Sequence, residues 1–195
     1  MSTRTAPDEE RIQTPLPRPA ATNLIWLSLG VALLALAGSL WLSLIMKLQA
    51  CPLCLYQRTF VMGTVAVLLL GLLAGTRSGG LLHLLALPTA AGGFGVAVFH
   101  EYLEWTGKLE CPGGIGGIGS APQQSLAVLA VLLLLLIVGA IHGADAARWR
   151  WLTAAALGLG VLFAVGAIAS APPPKLPPQP YAGPPEGCRS PFRSP

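Results

Sequence analysis

Charge is the scarcest ingredient of this sequence. Only 10% of its 195 residues are Asp, Glu, Lys or Arg, where an ordinary soluble domain carries roughly 25%. That is too little to cover a water-facing surface, and 53% apolar residues is too much for a disordered chain. A soluble enzyme and an intrinsically disordered protein are therefore excluded. Basic clusters are missing as well. The net charge is +4, but the 12 Lys and Arg residues form no run and no basic helix face. Nucleic acid is not expected as a partner, and the charges read as topogenic marks beside membrane spans. Cysteine is sparse, with four residues in all, too few for a disulfide-dense scaffold. A second C-x-x-C or a His pair, which a zinc site would want, is absent, and so are a haem ligand pair, an iron–sulfur motif and a flavin fold. No metal ligand is expected.

Long uncharged runs are what the chain has instead. Residues 24–46, 59–76, 81–99, 126–141 and 151–171 carry no charge. A spanning helix needs roughly 17–25 apolar residues. The first, third and fifth runs reach this directly, and the other two reach it by extending over Leu55–Gln57 and Pro122–Ser125. The runs are continuous rather than alternating, so they are helices and not barrel strands. The fold class is all-α: a polytopic membrane helical bundle of five spans. Residues 1–22 are polar and proline-bearing and read as a disordered tail. Residues 23–171 form the membrane domain. Residues 172–195 form a Pro-rich tail, extended and polyproline-like, that carries Cys188.

An odd number of spans puts the termini on opposite sides. The basic residues divide six against six between the two faces, so their count does not set the orientation. One result is independent of orientation: segment 47–58, loop 100–125 and the C-terminal tail share a face, and so do Cys51, Cys54, Cys111 and Cys188.

Cys51–Pro52–Leu53–Cys54 stands where a short loop enters the second span. A helix N-terminus stabilises a thiolate there, and Arg58 follows Cys54 by one helical turn on the same face. The pair is suited to alternate between dithiol and disulfide; a zinc half-site or two inert cysteines are the competing readings. Cys111 opens a glycine-rich loop. Its run Gly114–Ile115–Gly116–Gly117–Ile118–Gly119 formally matches G-x-G-x-x-G, but no βαβ unit surrounds it, so it is read as a mobile loop rather than a nucleotide cradle. Cys188 lies 17 residues beyond Ala171. At about 3.1 Å per residue the tail could reach on the order of 50 Å, to Cys111 or to the C-x-x-C. Arg189 beside it would favour its thiolate. His100, at the end of the third span, could accept or pass a proton. Glu101 reads as a helix-end residue.

Cys51–Pro52–Leu53–Cys54–Leu55–Tyr56–Gln57–Arg58, between the first and second spans, resembles the disulfide bond formation protein B (DsbB) family. Phe99–His100–Glu101–Tyr102–Leu103–Glu104 is similar to that family's His-containing end of the third span. The resemblance implies a four-helix, quinone-coupled thiol oxidase of the bacterial inner membrane, with its active face periplasmic and residues 1–22 cytoplasmic. It implies a DsbA-like, thioredoxin-fold partner whose reoxidation sends electrons through Cys51 and Cys54 to ubiquinone or menaquinone. Cys54, Arg58 and His100 would then lie at the quinone, Cys51 would exchange with an outer cysteine pair, and Cys111 would match the cysteine that bonds the partner. The chain departs from the family in one respect. Familiar members have four spans and carry both outer cysteines between the third and fourth; here only Cys111 lies there, and a fifth span delivers Cys188. Two other assignments compete. A vitamin K epoxide reductase-like protein would carry its C-x-x-C late, near the last helices. A membrane adaptor would use its cysteines for zinc or for structure.

Overall fold

The computed structural model describes residues 19–76, 79–142, 146–173, 180–181 and 183–192. Among the described residues its α-helices are α1 (Pro19–Leu44), α2 (Pro52–Leu73), α3 (Gly79–Trp105), α4 (Ala121–His142) and α5 (Ala146–Ser170), with a 3₁₀ turn at Ile115–Gly117. Each carries a stretch long and apolar enough to cross a bilayer: Asn23–Leu44, Pro52–Leu73, Gly79–Trp105, Ala121–His142 and Trp149–Ser170. The protein is thus a polytopic helical membrane bundle with a fifth spanning helix, as the uncharged runs predict.

Local chemistry sets the helix ends. Pro19 and Pro52 open α1 and α2, where a missing N–H costs nothing. The first helix therefore starts inside the stretch read as a tail; residues 1–18 lie outside the described residues. Ser120 and Gln123 begin α4 with a reciprocal capping box: the Gln123 amide donates to Ser120 Oγ at 3.4 Å, and the Ser120 amide donates to Gln123 Oε1 at 3.2 Å. Prolines 172 and 173 follow the end of α5 and prevent its continuation.

The α3 helix is the spine of the bundle. Ala86, Leu87, Ala90 and Ala97 on it are fully or almost fully buried, in one cluster with Leu68 of α2 and Leu132 and Leu136 of α4, while Val96 packs in a second cluster with Leu53, Ala164 and Ala167. Bilayer lipid is as apolar as a leucine side chain, so close packing rather than water exclusion holds such helices together. Small residues allow it: a Cβ at Gly95 would collide with Ala164, and one at Gly160 with Ala91, so α5 lies tight on α3. Thr64 and Thr89 hydrogen-bond across α2 and α3 at 2.9 Å. Outward faces present Trp26, Leu34, Leu70, Leu134 and Leu162.

The glycine run is not the open, mobile loop expected of it. Gly114 N–H donates to Gly119 at 2.9 Å, and the Gln124 amide binds the carbonyls of both Ile115 and Ile118 at 2.9 Å. Gly116, Gly117 and Gly119 take positive φ, so glycine is needed to close the turn. The tail meets the bundle as well. Residues 183–192 dock on the bundle: Gln49 pairs with Gly187 in parallel, and Glu110 pairs with Arg189 in antiparallel fashion. Arg4, Arg11, Arg18, Arg77, Lys175 and Arg193, half of the orientation tally, lie outside the described residues.

Candidate functional site

The C-x-x-C motif is positioned by the start of α2. Cys51 is its N-cap, with extended φ/ψ, and its Sγ accepts the Cys54 amide N–H at 3.2 Å. The orphan donors of a helix N-terminus thus point at this sulfur. Cys51 Sγ and Cys54 Sγ are 3.0 Å apart as free, half-buried thiols. The Cys51 thiol is pushed well below the ordinary thiol range. The hydrogen bond from the Cys54 thiol is the main cause, burial opposes it, and His100 adds a further hydrogen bond. A shift of this kind favours the thiolate on Cys51.

Cys111 and Cys188 form a disulfide across 77 residues of sequence. Tail residues on either side of it make backbone and side-chain bonds of their own. Gln49 N–H donates to Glu186 at 2.7 Å, Glu110 N–H to Arg189 at 2.8 Å, and Arg189 N–H back to Glu110 at 3.0 Å. The Arg189 guanidinium binds Glu110 Oε2 at 3.2 Å and the Gly183 carbonyl at 2.9 Å, and it lies 3.9 Å over the Tyr181 ring. A Cβ on Gly187 would strike Gln49, so only glycine lets the strands meet beside Cys188. The outcome is that Cys51, Cys54 and Cys188 sulfurs and a His100 ring nitrogen all lie within 4.8 Å of one another.

His100 is fully buried at the centre of this group. Its Nε2 lies 3.2 Å from Cys188 Sγ, 3.5 Å from Cys111 Sγ and 3.8 Å from Cys51 Sγ. On its other side, Gln57 faces Nδ1 at 3.3 Å, and Ser125 Oγ donates to Gln57 Oε1 at 2.5 Å. A thiolate–imidazole set of this kind is what zinc uses, but Cys188 is committed to a disulfide and cannot supply a thiolate in this state.

Beneath the sulfurs opens a cavity of about 230 Å³, walled by Leu34, Leu42, Val61 and Leu129 and edged by Cys54, Arg58, His100 and Cys188. Arg58 reaches it from α2 and is tied to α1: Nε donates to Ser39 Oγ at 3.0 Å, and Nη2 to the Ser39 carbonyl at 2.9 Å and to Ser43 Oγ at 2.6 Å. Among the described residues its Nη1 makes no hydrogen bond. Glu101 meets Gln123 at 3.4 Å, and Glu104 accepts from Ser120 Oγ at 2.6 Å, so both serve loop structure.

Every sulfur marked in the sequence thus arrives at one end of the bundle, with Arg58 and His100 beside them. Gln57, Ser125, Ser39, Ser43 and Glu110 join them without having been singled out. Ser39 and Ser43 had a signal, since two hydroxyls four residues apart in an apolar span mark a buried face.

Two cysteine pairs at the mouth of an apolar membrane cavity define a membrane thiol–disulfide protein. The sequence comparisons make this particular. A family profile described as "Disulfide bond formation protein DsbB" matches residues 21–127, more than half of the chain. Disulfide bond formation protein B 2 of Burkholderia lata is 36% identical over 101 residues, which cover 51% of this chain and 60% of that protein. No solved structure matches significantly. The chain belongs to the DsbB family of disulfide bond formation proteins. Its early C-x-x-C agrees with that family and not with the late motif of vitamin K epoxide reductase-like proteins.

Proposed function

We propose that the protein is a thiol oxidase of the bacterial inner membrane that draws electrons from a dithiol partner at its periplasmic face and delivers them to a membrane quinone. The placement of Cys188 beside both sulfurs of the C-x-x-C carries this reading.

The exchange follows from the geometry. With the inner pair oxidised, a partner thiolate attacks Cys111, and the Cys111–Cys188 bond breaks. Cys188 leaves as a thiolate next to Cys51 and attacks it, forming Cys188–Cys51 and releasing the Cys54 thiolate. The partner's second thiolate then resolves its bond to Cys111 and departs as a disulfide. Cys111 next attacks Cys188, restores the outer disulfide and frees Cys51. The partner has lost two electrons, and Cys51 and Cys54 hold them as a dithiol. The structure shows that same combination, an outer disulfide above an inner dithiol. A DsbA-like, thioredoxin-fold protein is the expected partner, as the family resemblance implies.

The cavity suits a quinone. Its walls are apolar, and its polar edge offers the Arg58 guanidinium, whose Nη1 is left to donate to a carbonyl oxygen. Cys54 borders the same space. A bound ubiquinone or menaquinone supplies the two-electron acceptor. Arg58, held by two serines, would orient it at little entropic cost.

The test is Cys54→Ala in proteoliposomes. It should keep the outer disulfide, leave Cys51 a lone thiol and reduce no quinone. Normal quinone reduction by this variant would refute the assignment.

A further inference from the structure

The exchange reading above leaves one group without a task. Gln57 is buried in α2, makes no hydrogen bond to a sulfur, and joins Ser125 of α4 to His100 of α3. The order of hydrogen bonds along this chain can be worked out from the sulfur end.

Cys111 and Cys188 are joined in a disulfide, so neither sulfur carries a hydrogen and both can only accept. His100 Nε2 faces them at 3.5 and 3.2 Å. A lone pair on Nε2 would set lone pair against lone pair twice over, so Nε2 bears the proton. In a neutral ring Nδ1 is then the acceptor. The group facing Nδ1 must donate, and the atom found there is the Gln57 amide nitrogen. This turns Gln57 Oε1 toward α4, where the Ser125 hydroxyl donates to it. Every proton along Ser125, Gln57 and His100 therefore runs toward the sulfurs, and the chain is consistent in only this sense for a neutral ring.

We infer that Gln57 and Ser125 are positioning residues that lock His100 in its Nε2–H tautomer, so that the imidazole presents a fixed N–H to whichever sulfur leaves during the exchange. When a partner thiolate opens the Cys111–Cys188 bond, negative charge appears on Cys188, at the atom 3.2 Å from Nε2. The proton remains on the ring and the bond to Cys188 becomes charge-assisted, which strengthens it relative to the neutral disulfide. Because the donor is stronger toward the leaving thiolate than toward the resting disulfide, it accelerates the step rather than merely holding the ground state. The same N–H faces Cys51 at 3.8 Å and so serves that sulfur when it is displaced in turn. An imidazole free to exchange tautomers would present a lone pair to the sulfurs part of the time.

This inference rests on the exchange reading, and the experiment separates the two. The full-length protein is labelled with ¹⁵N-histidine in lipid nanodiscs, and its three histidines are assigned with His100→Asn. The expected spectrum shows His100 protonated at Nε2 and bare at Nδ1. Gln57→Leu and Ser125→Ala should each mix the tautomers and slow reduction of the outer disulfide by a dithiol peptide roughly 10- to 100-fold, the scale of a lost charge-assisted hydrogen bond. Ser125→Thr, which keeps the hydroxyl, should restore both readouts. A wild-type ring protonated at Nδ1 alone or at both nitrogens overturns the inference. So does an unchanged rate in a variant whose tautomer has changed. A wild-type protein with the expected tautomer that never passes electrons from the outer to the inner pair refutes the exchange reading instead, and with it the purpose assigned to the relay.

Discussion

Arg189→Ala should unfasten the tail while leaving all four cysteines in the chain. The side chain makes three contacts that can be weighed separately. Its ion pair with Glu110 is partly open to solvent, with side chains 21% and 49% exposed, and such pairs contribute about 0.2–1 kcal/mol. Its stacking over Tyr181 adds about 0.5–1 kcal/mol for an exposed cation–π contact. The hydrogen bond to Gly183 adds roughly 1 kcal/mol. The sum is about 2 kcal/mol, or roughly 30-fold in the docking equilibrium. The backbone bonds from Gln49 and Glu110 stay, so the tail still finds its place. The assay uses fully reduced protein and a bulky maleimide. If opening and closing are fast relative to alkylation, the rate at Cys188 tracks the open population. That rate should rise roughly 30-fold in the variant. A rise under about threefold, or a wild-type tail that reacts as fast as a free peptide thiol, would show that the disulfide alone holds the tail and that the docking contacts do nothing.

Two further outcomes follow from the site. Arg58→Leu removes the donor at the cavity edge and should raise the apparent KM for a soluble quinone analogue roughly 10- to 100-fold, with the exchange between cysteine pairs unaltered; stopped-flow reduction resolves the two steps. The depressed pKa of Cys51 predicts a pH dependence of definite sign. As pH falls below the ordinary thiol value of about 8.5, an unperturbed cysteine loses thiolate tenfold per unit, whereas Cys51 keeps it until pH drops through its own lower pKa. Alkylation of the reduced protein by iodoacetamide should thus be nearly flat at Cys51 between about pH 8 and 6, while a free model thiol slows roughly 100-fold.

Much of this architecture could be read before folding, because hydropathy is a local property. Each span needs only its own residues to be apolar, and the helices fall where the uncharged runs lie. The parity of five spans then carried all four cysteines to one face. What the chain could not display locally is pairing at a distance. Gln49, Glu110 and Gly187 sit in unrelated segments with no periodicity, and their backbone bonds exist only once α2, α3 and α5 have packed. Gln57 shows no role within the C-x-x-C motif, since its partners Ser125 and His100 come from two other helices. The glycine run misled for a related reason: glycine is permissive in an unfolded chain but here fills left-handed positions in a closed turn.

The outer disulfide also has a topological meaning. Together with the chain between Cys111 and Cys188 it makes a covalent ring, and that ring contains α4 and α5 entire. Each proposed cycle cuts the ring and rejoins it. Two membrane helices are thereby cyclised and linearised with every pair of electrons. In a chain whose two outer cysteines shared one loop, the ring would enclose only loop. In such a cycle redox state would change the connectivity of the bundle itself, and α5, beyond the family match, is one of the two helices the ring encloses.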